Sequence, residues 1–137
     1  MANNDCIFCK IVNGEIPCSK VYEDERVLAF LDIAPVNKGH TLVVPKKHYE
    51  TLLDVPDKLL ADLMKAAKKV AKAVIRVSRT AGFNLMQSNK KVAGQAVPHF
   101  HLHIIPRIEG DGLKHWPQGK YEEGEMEELT KQISSLV

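Results

Sequence analysis

The sequence predicts an α+β fold with an antiparallel sheet, and the order of its hydrophobic segments indicates this class. Short apolar stretches that suit β-strands occur on both sides of one long amphipathic segment. Strands and helices do not alternate along the chain, which argues against a parallel sheet. The 137 residues, 45% of them hydrophobic, suit one compact domain over residues 1–137. We expect an antiparallel meander of about five strands with one long helix and a C-terminal helix.

The first half of the chain predicts a short helix and three strands. Apolar stretches bounded by glycine, acidic turn residues or proline define these elements. They are a helical turn at 6–12 ending at Gly14, a hairpin of strands at 20–23 and 27–33, and a strand at 41–44 stopped by Pro45.

The second half begins with the predicted long helix, which starts at Pro56 and is expected to stop at Gly82. Its apolar residues recur at spacings of three and four: Leu60, Leu63, Ala67, Val70, Val74 and Val77. Such a stripe either covers the sheet, which is the commoner arrangement, or contacts a partner helix. Two further strands follow at 83–87 and 100–106, and a weaker amphipathic helix is predicted at 122–136.

The composition excludes several classes of protein. The 19 basic and 17 acidic residues give a net charge of +2, which does not suit a nucleic-acid binder that coats phosphates. No stretch approaches the roughly 20 apolar residues of a membrane span. The cysteines, Cys6, Cys9 and Cys18, are too few for a disulfide framework. We expect a cytoplasmic protein with neither nucleic acid nor membrane as a partner.

Three histidines alternate with apolar residues in the stretch His99-Phe100-His101-Leu102-His103. On a strand this alternation places the histidines on one face and the apolar residues on the other. A half-exposed strand is one interpretation. A single metal held by all three is a poor one, because residues i and i+4 on a strand lie roughly 13 Å apart. The remaining interpretation is a row of imidazoles that acts on phosphorus as nucleophile and proton donor near pH 7.

The stretch His99 to Ile105 matches the pattern His-φ-His-φ-His-φ-φ, in which φ is apolar, and thus resembles the histidine triad (HIT) superfamily. The likeness to its Hint-like branch extends over about residues 6–119 and leaves 120–137 as a tail helix. It is also carried by Ile7-Phe8-Cys9-Lys10-Ile11, Glu15-Ile16-Pro17, residues 29–35, residues 39–48 and His115-Trp116-Pro117.

The resemblance implies a homodimeric HIT-like fold and a nucleotide-binding hydrolase or transferase that acts at the α-phosphorus of nucleoside 5′-phosphoramidates. By the family pattern His101 attacks phosphorus and forms a nucleotidyl-histidine intermediate. His103 holds the phosphate or protonates the leaving group, and His40 assists; taken alone, His40 could be a solvated residue at a strand start. Two alternatives stay open: a hydrolase of dinucleoside polyphosphates such as diadenosine tetraphosphate, and a nucleotide-binding regulatory module with little turnover.

The resemblance also implies residues that bind a purine nucleotide. Asp32, unusual within an apolar strand, accepts from the ribose hydroxyls, and Trp116 approaches the partner's active site. Their alternatives are a buried anchor for Trp116, a core role for the apolar set and a solvated turn for the loop. The implied apolar base pocket is Phe8, Ile11, Phe30 and Ile33, and the implied phosphate-binding loop contributes Asn89, Gly94 and Gln95. Ala96 stands where relatives often carry a serine that contacts the leaving group.

The pair Cys6 and Cys9 could be redox-active or simply buried, since a lone C-x-x-C is a weak signal. In relatives that keep this pair, the histidine of a Pro-x-x-His segment and the first triad histidine complete a zinc site. The corresponding residues are His48 and His99. The resemblance therefore implies structural Zn²⁺ as cofactor, because a Cys₂His₂ shell leaves no open position. Cys18 has no partner in this scheme.

Overall fold

The computed structural model describes residues 4–137 and confirms the α+β class. The central sheet has five antiparallel strands in the order β1-β2-β3-β5-β4. The strands are Lys20–Glu23 (β1), Val27–Leu31 (β2), Thr41–Pro45 (β3), Gly82–Met86 (β4) and Leu102–Arg107 (β5). The α-helices are Ile7–Val12 (α1), Asp57–Ser78 (α2) and Glu125–Ser134 (α3), with 3₁₀ turns at Leu52–Asp54 and Lys91–Ala93.

The sheet departs from a simple meander at its second half. The connection through α2 carries the chain past the neighbour of β3, so that β4 forms the edge and β5 inserts between β3 and β4. The central pairing sets Leu42 opposite His103. This insertion places the histidine-rich stretch in the middle of the sheet, where it is covered on both faces.

Helix α2 packs across one face of the sheet, as the stripe predicted. Leu63, Ala67 and Val70 are buried there against sheet residues that include Phe100 and Ile104. The helix ends earlier than expected, because Arg79 adopts a left-handed conformation with φ of 53° and donates its amide to the Ile75 carbonyl. The predicted stop at Gly82 is wrong, since that residue begins β4.

The opposite face of the sheet is covered by α1, with Cys6 as its N-cap residue. Phe8 and Cys9 pack there against Phe30 and other apolar residues of β2 and β3. The two faces follow the predicted alternation, because Phe100 and Leu102 lie on the α2 side while the His101 ring contacts Phe8 on the α1 side.

Three strand boundaries differ from the prediction by one or two residues. β2 ends at Leu31 because Asp32 accepts the Ala34 amide through Oδ1 at 2.9 Å and turns the chain. β3 includes Pro45, which pairs with Val27. β5 begins at 102 rather than 100 because the Phe100 amide donates to the Tyr49 carbonyl outside the sheet.

The C-terminal segment extends away from the sheet. Helix α3 is shorter than the predicted 122–136 and buries none of its residues. Within residues 4–137, no helix has both the length and the apolarity that a bilayer span requires.

Candidate active site and metal cluster

A cavity of about 350 Å³ opens between α1, the end of β2 and the triad stretch. His101 and His103 lie in its wall, and Asp32 stands beside them. The predicted apolar residues also line it: Phe8, Ile11, Phe30 and Ile33. Phe8 and Phe30 are buried and so belong to core and cavity at once, whereas Ile33 is 100% exposed, which rules out a core role for it. An apolar cavity with a few polar groups is the usual form of a small-molecule site.

His101 is held in one tautomer by its backbone partner. It is 5% exposed, and its Nδ1 donates to the His99 carbonyl oxygen at 2.7 Å. The proton of the neutral ring is therefore on Nδ1, and Nε2 keeps its lone pair. Burial lowers the pKa of His101, so the neutral, nucleophilic form is favoured at neutral pH.

His40 and His103 form a second fixed pair. The Val36 amide donates to His40 Nδ1 at 3.1 Å, so the ring proton of neutral His40 is on Nε2. That Nε2 donates to His103 Nδ1 at 2.9 Å, which leaves His103 with a proton on its own Nε2. His40 is 3% exposed, so a solvated role for it is wrong.

The two histidines stay neutral at pH 7. Burial lowers the pKa of His40. Burial and the neighbouring histidines lower the pKa of His103 to about 4. His103 therefore acts as a neutral hydrogen-bond donor in the resting site.

Asp32, His40 and His103 bring their ligand atoms within 4.8 Å of one another, but the hydrogen bonds do not suit a metal ion. His40 Nδ1 accepts the Val36 amide, so coordination through Nε2 would require an imidazole without any proton. Instead the Asp32 carboxylate lies 3.7 Å from His40 Nε2, where it favours the proton on that nitrogen. We therefore assign this group to proton placement.

The second group, Cys6, Cys9, His48 and His99, also has its ligand atoms within 4.8 Å of one another. His99 Nδ1 lies 3.4 Å from Cys6 Sγ, 3.6 Å from Cys9 Sγ and 3.2 Å from His48 Nδ1. Cys9 Sγ lies 3.4 Å from His48 Nδ1. Tetrahedral zinc with its usual bond lengths separates S and N ligands by about 3.5 Å and two N ligands by about 3.3 Å. The four atoms thus already have the spacing of a tetrahedral shell.

The tautomer of His99 agrees with a metal site. Its Nε2 donates to the Pro45 carbonyl oxygen at 2.8 Å, so its Nδ1 presents a lone pair to the cluster. His99 is fully buried, and burial lowers its pKa to about 4. Burial also raises the pKa of the Cys6 thiol, so metal binding at neutral pH must displace the thiol proton.

The loop before the triad uses its predicted polar side chains to hold itself together. Gln95 is 6% exposed; its Oε1 accepts the Lys90 amide at 2.7 Å and its Nε2 donates to the Glu50 carbonyl at 2.6 Å. Asn89 accepts the Leu52 amide at 2.8 Å. Gly94 has a φ of +91°, which explains the glycine. These three residues do not line the cavity, so their contact with a phosphate stays a prediction.

Trp116 lies outside the cavity and is 82% exposed. It is therefore not a buried anchor within its own chain, and its predicted place at a partner's site stays a prediction. Cys18, which the sequence left unexplained, lines the cavity. Other lining residues that were not predicted are Ile7, Ile16, Pro17, Leu42 and Val97; the position of Ile7 beside Phe8 is the signal that could have identified it.

Comparison with known proteins places these features in a family. The family model described as "HIT domain" matches residues 13–110. An uncharacterized HIT-like protein of Methanocaldococcus jannaschii is 59% identical over 107 residues, which are 78% of this chain and 82% of that protein. An adenosine 5′-monophosphoramidase of Schizosaccharomyces pombe is 43% identical over 135 residues, covering 96% and 98% of the two chains.

Solved structures agree with the fold. A HIT family protein from Bacillus subtilis has a TM-score of 0.90 at 42% identity and covers 98% of both chains. A zinc-bound histidine triad family protein from Mycobacterium smegmatis has a TM-score of 0.76 at 36% identity, with 97% and 98% covered. The matched motifs, the fold and these similarities together show that the chain belongs to the HIT domain family.

Proposed function

We propose that the protein hydrolyses nucleoside 5′-phosphoramidates, such as adenosine 5′-monophosphoramidate, through a covalent intermediate on His101. The observation that carries the proposal is the fixed tautomer of His101, whose Nδ1 proton is bound by the His99 carbonyl at 2.7 Å. Nε2 is then a permanent lone-pair donor on a residue that lines the nucleotide-sized cavity. The relative from S. pombe named adenosine 5′-monophosphoramidase supports this substrate class.

The binding step follows from the cavity. A purine base would occupy the apolar part beside Phe8 and Phe30, and Asp32 would accept from the ribose hydroxyls. Asp32 Oδ1 already accepts the Ala34 amide, which orients the carboxylate. The α-phosphorus would then lie next to His101 and His103. Asn89, Gly94 and Gln95 would contribute through the position of their loop.

Two chemical steps complete the reaction. His101 Nε2 forms a bond to phosphorus while the bond from phosphorus to the leaving nitrogen breaks, and His103 Nε2–H supplies the proton of the departing amine. Water then attacks phosphorus, the bond to His101 breaks, and a nucleoside 5′-monophosphate is released. His40 keeps His103 in the required tautomer through the 2.9 Å hydrogen bond.

Zinc has a structural place in this scheme. Cys6, Cys9, His48 and His99 would hold Zn²⁺, and the spacing and buried setting of their ligand atoms fit it. When bound, the ion supplies a cross-link rather than chemistry, because four protein ligands leave no open position. The M. smegmatis relative described as zinc-bound supports this choice of metal.

The active unit is proposed to be a homodimer of one-domain chains. Strand β4 is a sheet edge, and beside it a cavity of about 680 Å³ between β4 and α2 is lined by Met64, Phe83 and Leu85. These side chains are 49%, 38% and 42% exposed, an apolar surface that a second copy would cover. Trp116, 82% exposed, would then reach the partner's cavity.

The test is a substrate panel run on wild type and His101→Ala. Wild type is expected to turn over adenosine 5′-monophosphoramidate with a higher kcat/KM than diadenosine tetraphosphate, and His101→Ala is expected to lose both activities. A preference for the tetraphosphate would establish the alternative hydrolase, and nucleotide binding with negligible turnover would establish a regulatory module. Unchanged turnover by His101→Ala would overturn the assignment of the nucleophile.

A further inference from the structure

The metal cluster holds one wall of the nucleotide cavity in place. Helix α1 has only six residues, too few to be stable in isolation. Its anchors include Cys6 at its N-cap and Cys9 within it, and both thiols lie in the cluster with His48 and His99. The cluster therefore joins α1 to the segment after β3 and to the segment before β5.

The same short helix presents side chains to the cavity. Ile7, Phe8 and Ile11 all line it. The Phe8 ring lies 5.1 Å from the His101 ring, 5.8 Å from the His99 ring and 5.7 Å from the Phe30 ring, each in an edge-on arrangement. A movement of α1 would therefore displace the base pocket and the packing of the nucleophile together.

His99 links the cluster to the nucleophile through its own atoms. Its Nδ1 faces the two cysteines and His48, while its carbonyl oxygen accepts the His101 Nδ1 proton at 2.7 Å. The ring orientation and the backbone position of His99 are thus shared by both sites. The apolar cluster under α2 contains neither α1 residues nor cluster ligands, so this linkage involves one face of the sheet.

We propose that metal binding at the cluster and nucleotide binding in the cavity are thermodynamically coupled, with Phe8 and His99 as the positioning residues. Occupancy by the metal fixes α1 and His99, and the cavity is then formed before the nucleotide arrives. Loss of the metal lowers the fraction of molecules with a formed cavity, which weakens nucleotide binding in proportion. The proposal rests on the proposed function for the identity of the ligand, a nucleoside 5′-monophosphate as reaction product.

Linkage makes the coupling testable without turnover. If zinc tightens the binding of AMP by some factor, AMP must tighten the binding of zinc by the same factor. The first factor is measured by calorimetric titration of AMP into zinc-loaded and metal-free protein. The second is measured by competition of a chelator for zinc with and without saturating AMP. We expect both factors to be about tenfold, while far-UV circular dichroism shows that the sheet and α2 persist.

Two variants on the same helix separate positioning from simple contact. Phe8→Ala is expected to keep the metal and reduce the coupling factor severalfold, because it removes the ring that touches both His99 and His101. Ile7→Ala is the matched control: Ile7 lines the cavity and is 46% exposed, so its loss should weaken AMP binding equally in both metal states.

Equal affinity for AMP in the zinc-loaded and metal-free protein, with unchanged zinc affinity in the presence of AMP, would overturn the coupling and leave the proposed function intact. Absence of AMP binding by the loaded protein would instead remove the proposed function. If the metal-free protein unfolds, His48→Ser is used, since it removes one ligand of four. A folded His48→Ser protein that has lost its metal and still binds AMP like wild type would also overturn the coupling.

Discussion

Replacement of Gln95 by glutamate tests whether this residue holds the loop before the triad or contacts phosphate. The Gln95 amide bridges two backbone groups: it accepts the Lys90 amide at 2.7 Å and donates to the Glu50 carbonyl at 2.6 Å. Glutamate has the same shape and keeps the first of these bonds. It replaces the donor of the second bond with an oxygen that repels the Glu50 carbonyl.

The expected cost follows from burial. Gln95 is 6% exposed, so water cannot replace the lost partner. An unsatisfied buried carbonyl costs about 1–3 kcal/mol, and a buried carboxylate without a cationic partner adds a similar amount or more. We expect Gln95→Glu to lower the free energy of unfolding by about 3–5 kcal/mol at pH 7, which corresponds to about 10–15 °C in Tm for a chain of this size.

The assay is urea denaturation at pH 7, with Gln87→Glu as the matched control. Gln87 lies in the same loop and its amide donates to the Ser88 carbonyl at 2.9 Å, but it is only half-buried, so its replacement should cost less. A stability of Gln95→Glu within about 0.5 kcal/mol of wild type, together with a raised KM, would refute the bridging role and favour direct phosphate contact.

Three further predictions concern the loop, the ribose site and acid stability. Lys90 has φ of 70° and ψ of 157°, a region suited to glycine, so Lys90→Gly should raise the free energy of unfolding by about 1 kcal/mol; a loss of stability in urea denaturation would contradict this strain. Asp32→Asn should raise KM about tenfold or more with a smaller effect on kcat, because a charged acceptor for ribose hydroxyls is lost; unchanged KM in steady-state kinetics would remove that role. The pKa values of His99 and His103 are lowered to about 4 in the folded state from about 6.5 when unfolded, so the unfolded state binds more protons below pH 6.5. Metal-free protein should therefore keep its stability above pH 6.5 and lose it between about pH 6.5 and 4, and a flat urea midpoint over this range would contradict it.

The sequence predicted the fold class and the location of most elements, because periodicity reports burial on one face. The stripe from Leu60 to Val74 and the alternation of Phe100 with the triad histidines both predicted the packed faces correctly. The sequence did not predict the insertion of β5 between β3 and β4, because strand order depends on where α2 returns the chain. The early end of α2 at Arg79 was missed because a left-handed arginine has no sequence signal.

The candidate site was predictable in its residues but not in its hydrogen bonds. The family resemblance brought together the residues of both histidine groups, and the structure places them as two clusters. The backbone partners that assign the tautomers, the Val36 amide and the carbonyls of Pro45 and His99, carry no side-chain signature. The same holds for Gln95, whose residue type suits a phosphate contact and a backbone bridge equally.

The most direct test of the proposed mechanism is detection of a covalent nucleotide on His101. Wild-type protein is mixed with adenosine 5′-monophosphoramidate, quenched within milliseconds in denaturant at neutral or alkaline pH, and analysed by intact and peptide mass spectrometry. The predicted result is one nucleotidyl group on the peptide that contains His101, formed and lost at rates that allow turnover, and absent from His101→Ala. Full turnover without any covalent nucleotide, or with the nucleotide on another residue, would contradict the mechanism.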